Sequence, residues 1–307
     1  MAWHPLGWQP QWFSEIEAFP SAVLAHHYPN VPNHGDMTNF KEWNDDPIDL
    51  LVGGTPCQSF SVAGLRKGLD DPRGNLMLTY LAIAARYKPR WVAWENVPGV
   101  LSSNGGRDFG TFLGALGQLG YGFAYRVLDA QYFGVAQRRR RVFVVGYLGD
   151  WRCAAAVLFE RESLSGHPAP SREARERIAA FTTSGIADYR EGCKTIRAHG
   201  GDLGGGSETI IAFGAQNSAR QGDSVSEHVT PTLDKSKTPG ITDGMAVRRL
   251  TPRECERLQG FPDDYTLIPY RNKLAADGPR YKAMGNSMAV PVMRWIGERI
   301  EMVEQYA

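Results

Sequence analysis

The sequence predicts an α/β protein with a doubly wound, mostly parallel sheet, and three observations lead there. Short apolar runs alternate with stretches of helical period through residue 148, the pattern of parallel strands joined by crossover helices. One run, Asp49-Leu-Leu-Val52, breaks into Gly53-Gly54 and then presents Thr55-Pro56-Cys57-Gln58. A strand buried on both faces that turns sharply at its carboxyl end stands where open sheets bind ligands. After Asp150 the apolar runs thin out, and Gly, Ser and Thr dominate up to Ala246, which marks a loop-rich insertion.

Taken in order, Trp8 to Glu15 reads as a short strand ending in an acidic residue, and Ala18 to His27 as a helix stopped by Tyr28-Pro29. Gly35-Asp36-Met37-Thr38 closes another short segment. Asn75 to Tyr87 is a helix ended by Lys88-Pro89, and Trp91-Val-Ala-Trp94 is a buried strand that runs into Glu95-Asn96-Val97-Pro98. A helical stretch near Phe109 to Leu119 precedes strands at Tyr121 to Leu128 and Arg141 to Gly146. Beyond the insertion, Thr251-Pro252-Arg253-Glu254 has the spacing of a capping box with proline at the first helical position, so a helix is expected over Pro252–Gln259. Ala289 to Gln305 makes a last amphipathic helix. The expected domains are 1–150 and 248–307, two parts of one α/β domain, with 151–247 inserted between them.

Composition narrows the function classes. With 307 residues, 42% of them hydrophobic, the chain can bury a large core. No apolar run approaches the roughly 20 residues of a bilayer span, and the first residues lack the segments of a signal peptide. A cytoplasmic protein with no membrane partner is the expectation. Cys57, Cys153, Cys193 and Cys255 are widely spaced with no C-x-x-C pair, which argues against a metal site or a disulfide framework and leaves Cys57 a free thiol. The net charge of +1 excludes no partner, because the run Arg138 to Arg141 is a local basic patch.

Three features on the α/β part gain meaning together: the thiol of Cys57, the carboxyl of Glu95 at the end of the next strand, and Gln137-Arg-Arg-Arg-Arg141 leading into a strand. Neighbouring strands lie about 4.8 Å apart, so groups at their ends can face one planar substrate. With these residues in view, the chain resembles the DNA cytosine-5 methyltransferases. The motifs occur in family order over most of residues 8–148 and 247–307: Gly53-Gly-Thr-Pro-Cys-Gln58, Glu95-Asn96-Val97, Gln137-x-Arg139-x-Arg141, Arg249-Leu-Thr-Pro-Arg-Glu254 and Gly285-Asn286-Ser287. The resemblance implies that Cys57 is the nucleophile toward C6 of cytosine, that Glu95 holds N3, and that Arg141 contacts O2 with Arg139 nearby.

The residue types suit that chemistry. Cytosine C5 is too electron-poor to accept a methyl group from a sulfonium donor, whereas thiolate addition at C6 makes C5 an enamine carbon. A thiol of pKa about 8.5 is largely protonated at neutral pH, so positive charge near Cys57 should aid its ionisation. Glu95 has to carry a proton to donate to N3, which calls for burial or a neighbouring anion. The target carbon is hidden in stacked duplex, so the base must be extruded, and Ser59 to Asp71 has the length and polarity of a lid over it.

The resemblance further implies S-adenosylmethionine as cofactor, with its ribose on Glu15, its adenine near Ile16, Asp36 and Met37, and further contacts at Leu76 and Asn286. The family's opening strand and F-x-G-x-G loop are not found in Met1 to Gly7, and Gly114-x-x-Gly117-x-x-Gly120 lies in a helical stretch after the wrong element. Neighbouring strands are therefore expected to keep unpaired backbone groups, at about 1–3 kcal/mol for each buried one, or to re-pair, and cofactor binding is expected to be weak. Residues 151–247 stand where the family has its target-recognition domain. Their candidates for DNA contact are the Arg and Lys of Arg172 to Arg197, the loop at 200–206, and Asn217, Arg220 and Gln221. The implied partner is double-stranded DNA, with a cognate restriction endonuclease as a second; a monomer is expected. Two rivals stand beside this reading: a catalytically silent DNA-binding remnant, and a methyltransferase for cytosine in RNA.

Overall fold

The computed structural model describes residues 1–56, 76–159 and 249–306, and the backbone alone of residues 211–213, 226–227, 240–242 and 247–248. In chain order the elements are α1 (Ala18–His27), β1 (Leu50–Gly54), α2 (Leu76–Tyr87), β2 (Trp91–Asn96), α3 (Arg107–Gln118), β3 (Tyr121–Asp129), β4 (Arg140–Leu148) and α4 (Trp151–Leu158). Then come the short strands β5 (Ile211–Phe213), β6 (Ser226–Glu227), β7 (Gly240–Thr242) and β8 (Val247–Arg249), followed by α5 (Pro252–Gln259), β9 (Pro269–Tyr270), β10 (Lys273–Leu274), α6 (Asp277–Asn286) and α7 (Val290–Glu304). The chain divides into two compact units, Met1–Leu128 with Arg140–His167 and Met293–Ala307, and Asp129–Arg139 with Pro168–Val292.

The first unit is built on a four-stranded sheet of order β1-β2-β4-β3. β1 and β2 are parallel, with Leu50 opposite Trp91 and Gly54 opposite Glu95. β4 runs antiparallel to β2, pairing Trp91 with Tyr147 and Asn96 with Val142. β3 and β4 also oppose each other, because Ala130 N–H donates to Arg139 C=O at one end and Gly149 N–H to Gly120 C=O at the other. The α/β class stands, but this sheet is mixed where a mostly parallel one was expected. The physical reason is local: β3 and β4 are joined by about ten residues, enough for a hairpin but too few for the crossover that parallel strands need.

α2 packs its buried face, Met77 to Ala84, on this sheet. The hydroxyl of Tyr80 donates to the carbonyls of Leu51 at 3.3 Å and Ala93 at 3.1 Å, so one phenol spans β1 and β2. Burial holds that phenol well above its ordinary pKa. Gly53 makes the approach possible, since a Cβ there would lie 3.1 Å from the Tyr80 ring. Below, Trp94 packs on Phe112 with ring centroids 4.3 Å apart.

The expected strand at Trp8 to Glu15 is not one. A single parallel bridge, Phe13 to Asn33, is all that forms, held by Phe13 N–H to Pro32 C=O at 2.8 Å and His34 N–H to Phe13 C=O at 2.9 Å. Pro10 has no N–H to offer a ladder. On the other side the segment faces no strand. A cavity of about 670 Å³ separates Trp8 to Phe13 from Leu50, Leu51 and Val52, walled also by Trp3, Tyr28, Trp91 and Ile300. Among the described residues β1 is accordingly an edge strand paired with β2 alone.

In the second unit, β6-β5-β7-β8 form a small antiparallel sheet. The capping box of α5 forms as expected, with Thr251 accepting from Glu254 N–H and the Glu254 carboxylate accepting from Thr251 N–H at 2.7 Å. Ala136, Leu250, Cys255, Leu258 and Met284 make the apolar cluster between α5 and α6. Beside it lies a buried ionic group: Glu256 accepts from Thr266 N–H at 2.8 Å and from Arg280 at 3.1 Å, while Arg280 Nε donates to the Thr266 hydroxyl at 2.9 Å.

Two glycines test this packing in opposite directions. A Cβ on Gly122 would fall onto the backbone of Trp151, whereas one on Gly114, inside α3, would meet nothing within 4 Å. Gly122→Ala should lower stability by about 1–3 kcal/mol or more through overpacking, and Gly114→Ala should raise it by about 0.5–1 kcal/mol. Urea unfolding of the two variants checks both signs.

Candidate active site

β1 ends at Gly54, level with Glu95 on β2, and hands over to Thr55, which is buried, and Pro56, which is exposed. Cys57, like the Ser59–Asp71 stretch and the insertion residues named as DNA contacts, lies outside the described residues. What leads to it is fixed. Trp94 Nε1 donates to the Thr55 hydroxyl at 3.0 Å, and Asn96 Nδ2 donates to the Thr55 carbonyl at 2.8 Å. The other end of the Asn96 amide accepts from Val97 N–H at 2.8 Å. One buried side chain thus ties the turn after β1 to the turn after β2.

The structure brings Glu95 and Arg141 together. Arg141 Nε lies 3.2 Å from Glu95 Oε1, with side chains 14% and 13% exposed. The strand directions explain this: β4 runs against β2, so the first residues of β4 meet the last residues of β2. In a parallel arrangement Arg141 would stand at the opposite end of the sheet. Glu95 is mostly shielded, as the sequence reading asked, while its charged neighbour is a cation rather than an anion. Arg139 belongs to the second unit and is buried there. Its Nη2 donates to Ser287 C=O at 2.8 Å and its Nη1 reaches Gly285 C=O at 3.4 Å.

Of the cofactor candidates, Glu15 and Asp36 end two adjacent segments joined by the Phe13–Asn33 bridge. Glu15 Oε1 accepts from Glu17 N–H at 2.7 Å, and Asn33 clasps the Glu15 backbone from both sides. Asp36 Oδ1 accepts from Thr38 N–H at 2.9 Å and from the Thr38 hydroxyl at 2.8 Å. Each carboxylate has one oxygen engaged locally and the other open. Ile16 beside them is 73% exposed, an unusual setting for so large an apolar side chain. Met37 and Leu76 are half-buried, and Asn286 is exposed at the end of α6. An acceptor for a ribose hydroxyl at Glu15, another for an adenine edge at Asp36, and the bare apolar surface of Ile16 suit an adenosine group.

The other described cysteines carry no such role. Cys153 and Cys255 are free, and burial pushes the Cys255 thiol up to about 12. Among the described residues no cluster of His, Cys, Asp and Glu could hold a metal ion, and no helix is long and apolar enough to cross a membrane. The task of Asn96 is not announced by its motif; the available signal is a polar residue closing the apolar run Trp91 to Trp94.

A family model described as C-5 cytosine-specific DNA methylase matches residues 1–302. A protein named DNA N-6-adenine-methyltransferase from Escherichia phage P1 is 36% identical over 98% of this chain and 59% of its own length. The chain thus spans under two thirds of that relative, and a large part of the protein bearing that name lies outside the match. Type II methyltransferase M1.ScrFI of Lactococcus lactis subsp. cremoris is 32% identical over 95% of this chain and 72% of its own, and M.HpaII of Haemophilus parainfluenzae is 31% identical over 87% and 76%. The solved structure of S. pombe Dnmt2 methyltransferase has a TM-score of 0.61 at 15% identity, covering 99% of this chain and 94% of that one. Likeness at that identity establishes a methyltransferase fold.

Asn96→Ala would strand Thr55 C=O in a buried setting and strip Val97 N–H of its partner, so it should cost about 1–3 kcal/mol. The urea unfolding midpoint should fall accordingly, and an unchanged midpoint would refute the tie between the two turns.

Proposed function

We propose that this chain, which belongs to the C-5 cytosine-specific DNA methylase family, transfers a methyl group to C5 of a cytosine flipped out of duplex DNA. The observation that carries the reading is the Glu95–Arg141 pair at the carboxyl end of β2, level with the end of the strand that leads to Cys57. S-adenosylmethionine, when bound, supplies an electrophilic methyl group. Glu15 and Asp36 take its hydroxyls and adenine edge, Ile16, Met37 and Leu76 its apolar surfaces, and Asn286 is a further contact.

In this reading the Cys57 thiolate adds to C6 of the base. The C5–C6 π pair becomes the nucleophile at C5, while Glu95 gives a proton to N3 and Arg141 stabilises the charge on O2. Entry of the base places N3 against Glu95 and O2 against Arg141, so the two side chains that face each other in the free protein turn to neighbouring atoms of one base. Once C5 carries the methyl group, loss of its proton to a base returns the electron pair and expels the Cys57 thiolate. The type II relatives favour a cognate restriction endonuclease as counterpart; a monomer acting in the cytoplasm completes the proposal.

The open edge of β1 beside its cavity favours a second reading, a chain that binds duplex without turnover. Duplex DNA carrying 5-fluorocytosine, incubated with the cofactor, separates the two: the first expects a covalent protein–DNA complex, the second binding without one. Cys57→Ser should abolish the complex, and an adduct that survives it would sink the assigned nucleophile. Glu95→Gln should lower kcat by about 10²–10⁴ in a tritium-transfer assay.

A further inference from the structure

Helix ends leave their last carbonyls without intrahelical partners; at the end of α6 Ser287 N–H caps Ala283 and Met284 C=O locally, and further donors come from far along the chain. Gln259, fully buried at the end of α5, donates Nε2 to Met284 C=O at 2.8 Å and approaches Ser287 C=O at 3.5 Å. Arg139, buried as well, donates Nη2 to Ser287 C=O at 2.8 Å and reaches Gly285 C=O at 3.4 Å. Arg139 is itself fixed, its N–H donating to the Asp129 carboxylate at 2.9 Å. The Ser287 hydroxyl closes the turn onto Met284 C=O at 2.9 Å. Between these held carbonyls stands Asn286, exposed. Three of the four residues of this turn are gripped by buried donors, and the fourth is presented outward.

Stability alone does not require this arrangement. A helix end at the surface is satisfied by water, and apolar residues at 139 and 259 would avoid the cost of burying a guanidinium and an amide. Two planar, multi-donor groups directed at one turn fix its geometry, because each spans two carbonyls that must keep their spacing.

We propose that Gln259 and Arg139 are positioning residues that set the Gly285-Asn286-Ser287 turn so that the Asn286 amide meets the cofactor. The assignment rests on Asn286 being a cofactor contact. Gln259→Met keeps the volume and removes the donor. It should weaken S-adenosylmethionine binding by isothermal titration about tenfold, and raise KM for the cofactor with little change in kcat, a coupling of ordinary size for groups in one network. In an Asn286→Ala background the same substitution should cost nothing further. Arg139→Lys should weaken cofactor binding as Gln259→Met does, whatever it does to kcat, since a single ammonium cannot span both carbonyls. Leu258→Ala, in the same apolar cluster, controls for loosening: it should lower the unfolding midpoint without moving cofactor affinity. Equal losses with and without Asn286, or an equal loss from Leu258→Ala, would overturn the proposal. Absence of cofactor binding by the unaltered chain would overturn the functional reading and this inference with it, whereas a normal Asn286→Ala would overturn the inference alone.

Discussion

The amide of Asn96 is the constraint on which the catalytic end of the sheet depends. β2 lies between β1 and β4 and is buried along Trp91 to Trp94, so its polar end has to be satisfied from within. Asn96 does this by donating to the turn after β1 and accepting from the turn after β2. Both bonds are made by one side chain with little freedom, and the spacing of the two turns follows from the length of an amide. Whatever Cys57 does, the chain that delivers it starts from that anchor.

Electrostatics at the two polar centres follow different logics. Glu95 and Arg141 are mostly shielded but stay at the rim, where a substrate can replace one partner for the other. Glu256 and Arg280 are buried in the second unit and share Thr266. A buried pair of that kind repays its desolvation only when extra hydrogen bonds complete it, which Thr266 supplies on one side. The first pair is suited to exchange and the second to permanence.

Much of this was legible in the residue pattern. α1, α2, β2 and the capping box at Thr251 could be read because their apolar periods and stop signals are local. The ion pair was legible only as a hope of convergence, because strand direction leaves no mark on alternation: Arg141 to Gly146 reads the same whichever way β4 runs. α6 was hidden by Gly278, Pro279 and Gly285, residues that read as loop, although proline in a first helical turn costs no hydrogen bond. The sequence pattern overstates a strand at Trp8–Glu15, since a strand also needs a neighbour, and the described residues give this segment the Phe13–Asn33 bridge alone. The tasks of Gln259 and Arg139 were out of reach, for each acts on carbonyls that sequence does not display.

The cavity beside β1 also changes what substitution means there. In a close-packed interior an added methylene forces its neighbours out of place. Leu50 and Val52 line unfilled space instead, so bulkier side chains at those positions can grow into a void and gain contacts that the wild-type walls lack. A region where enlargement is cheap accepts mutations that the rest of the core rejects. Under random mutagenesis this flank of the sheet should accept enlargement more readily than the close-packed face under α2.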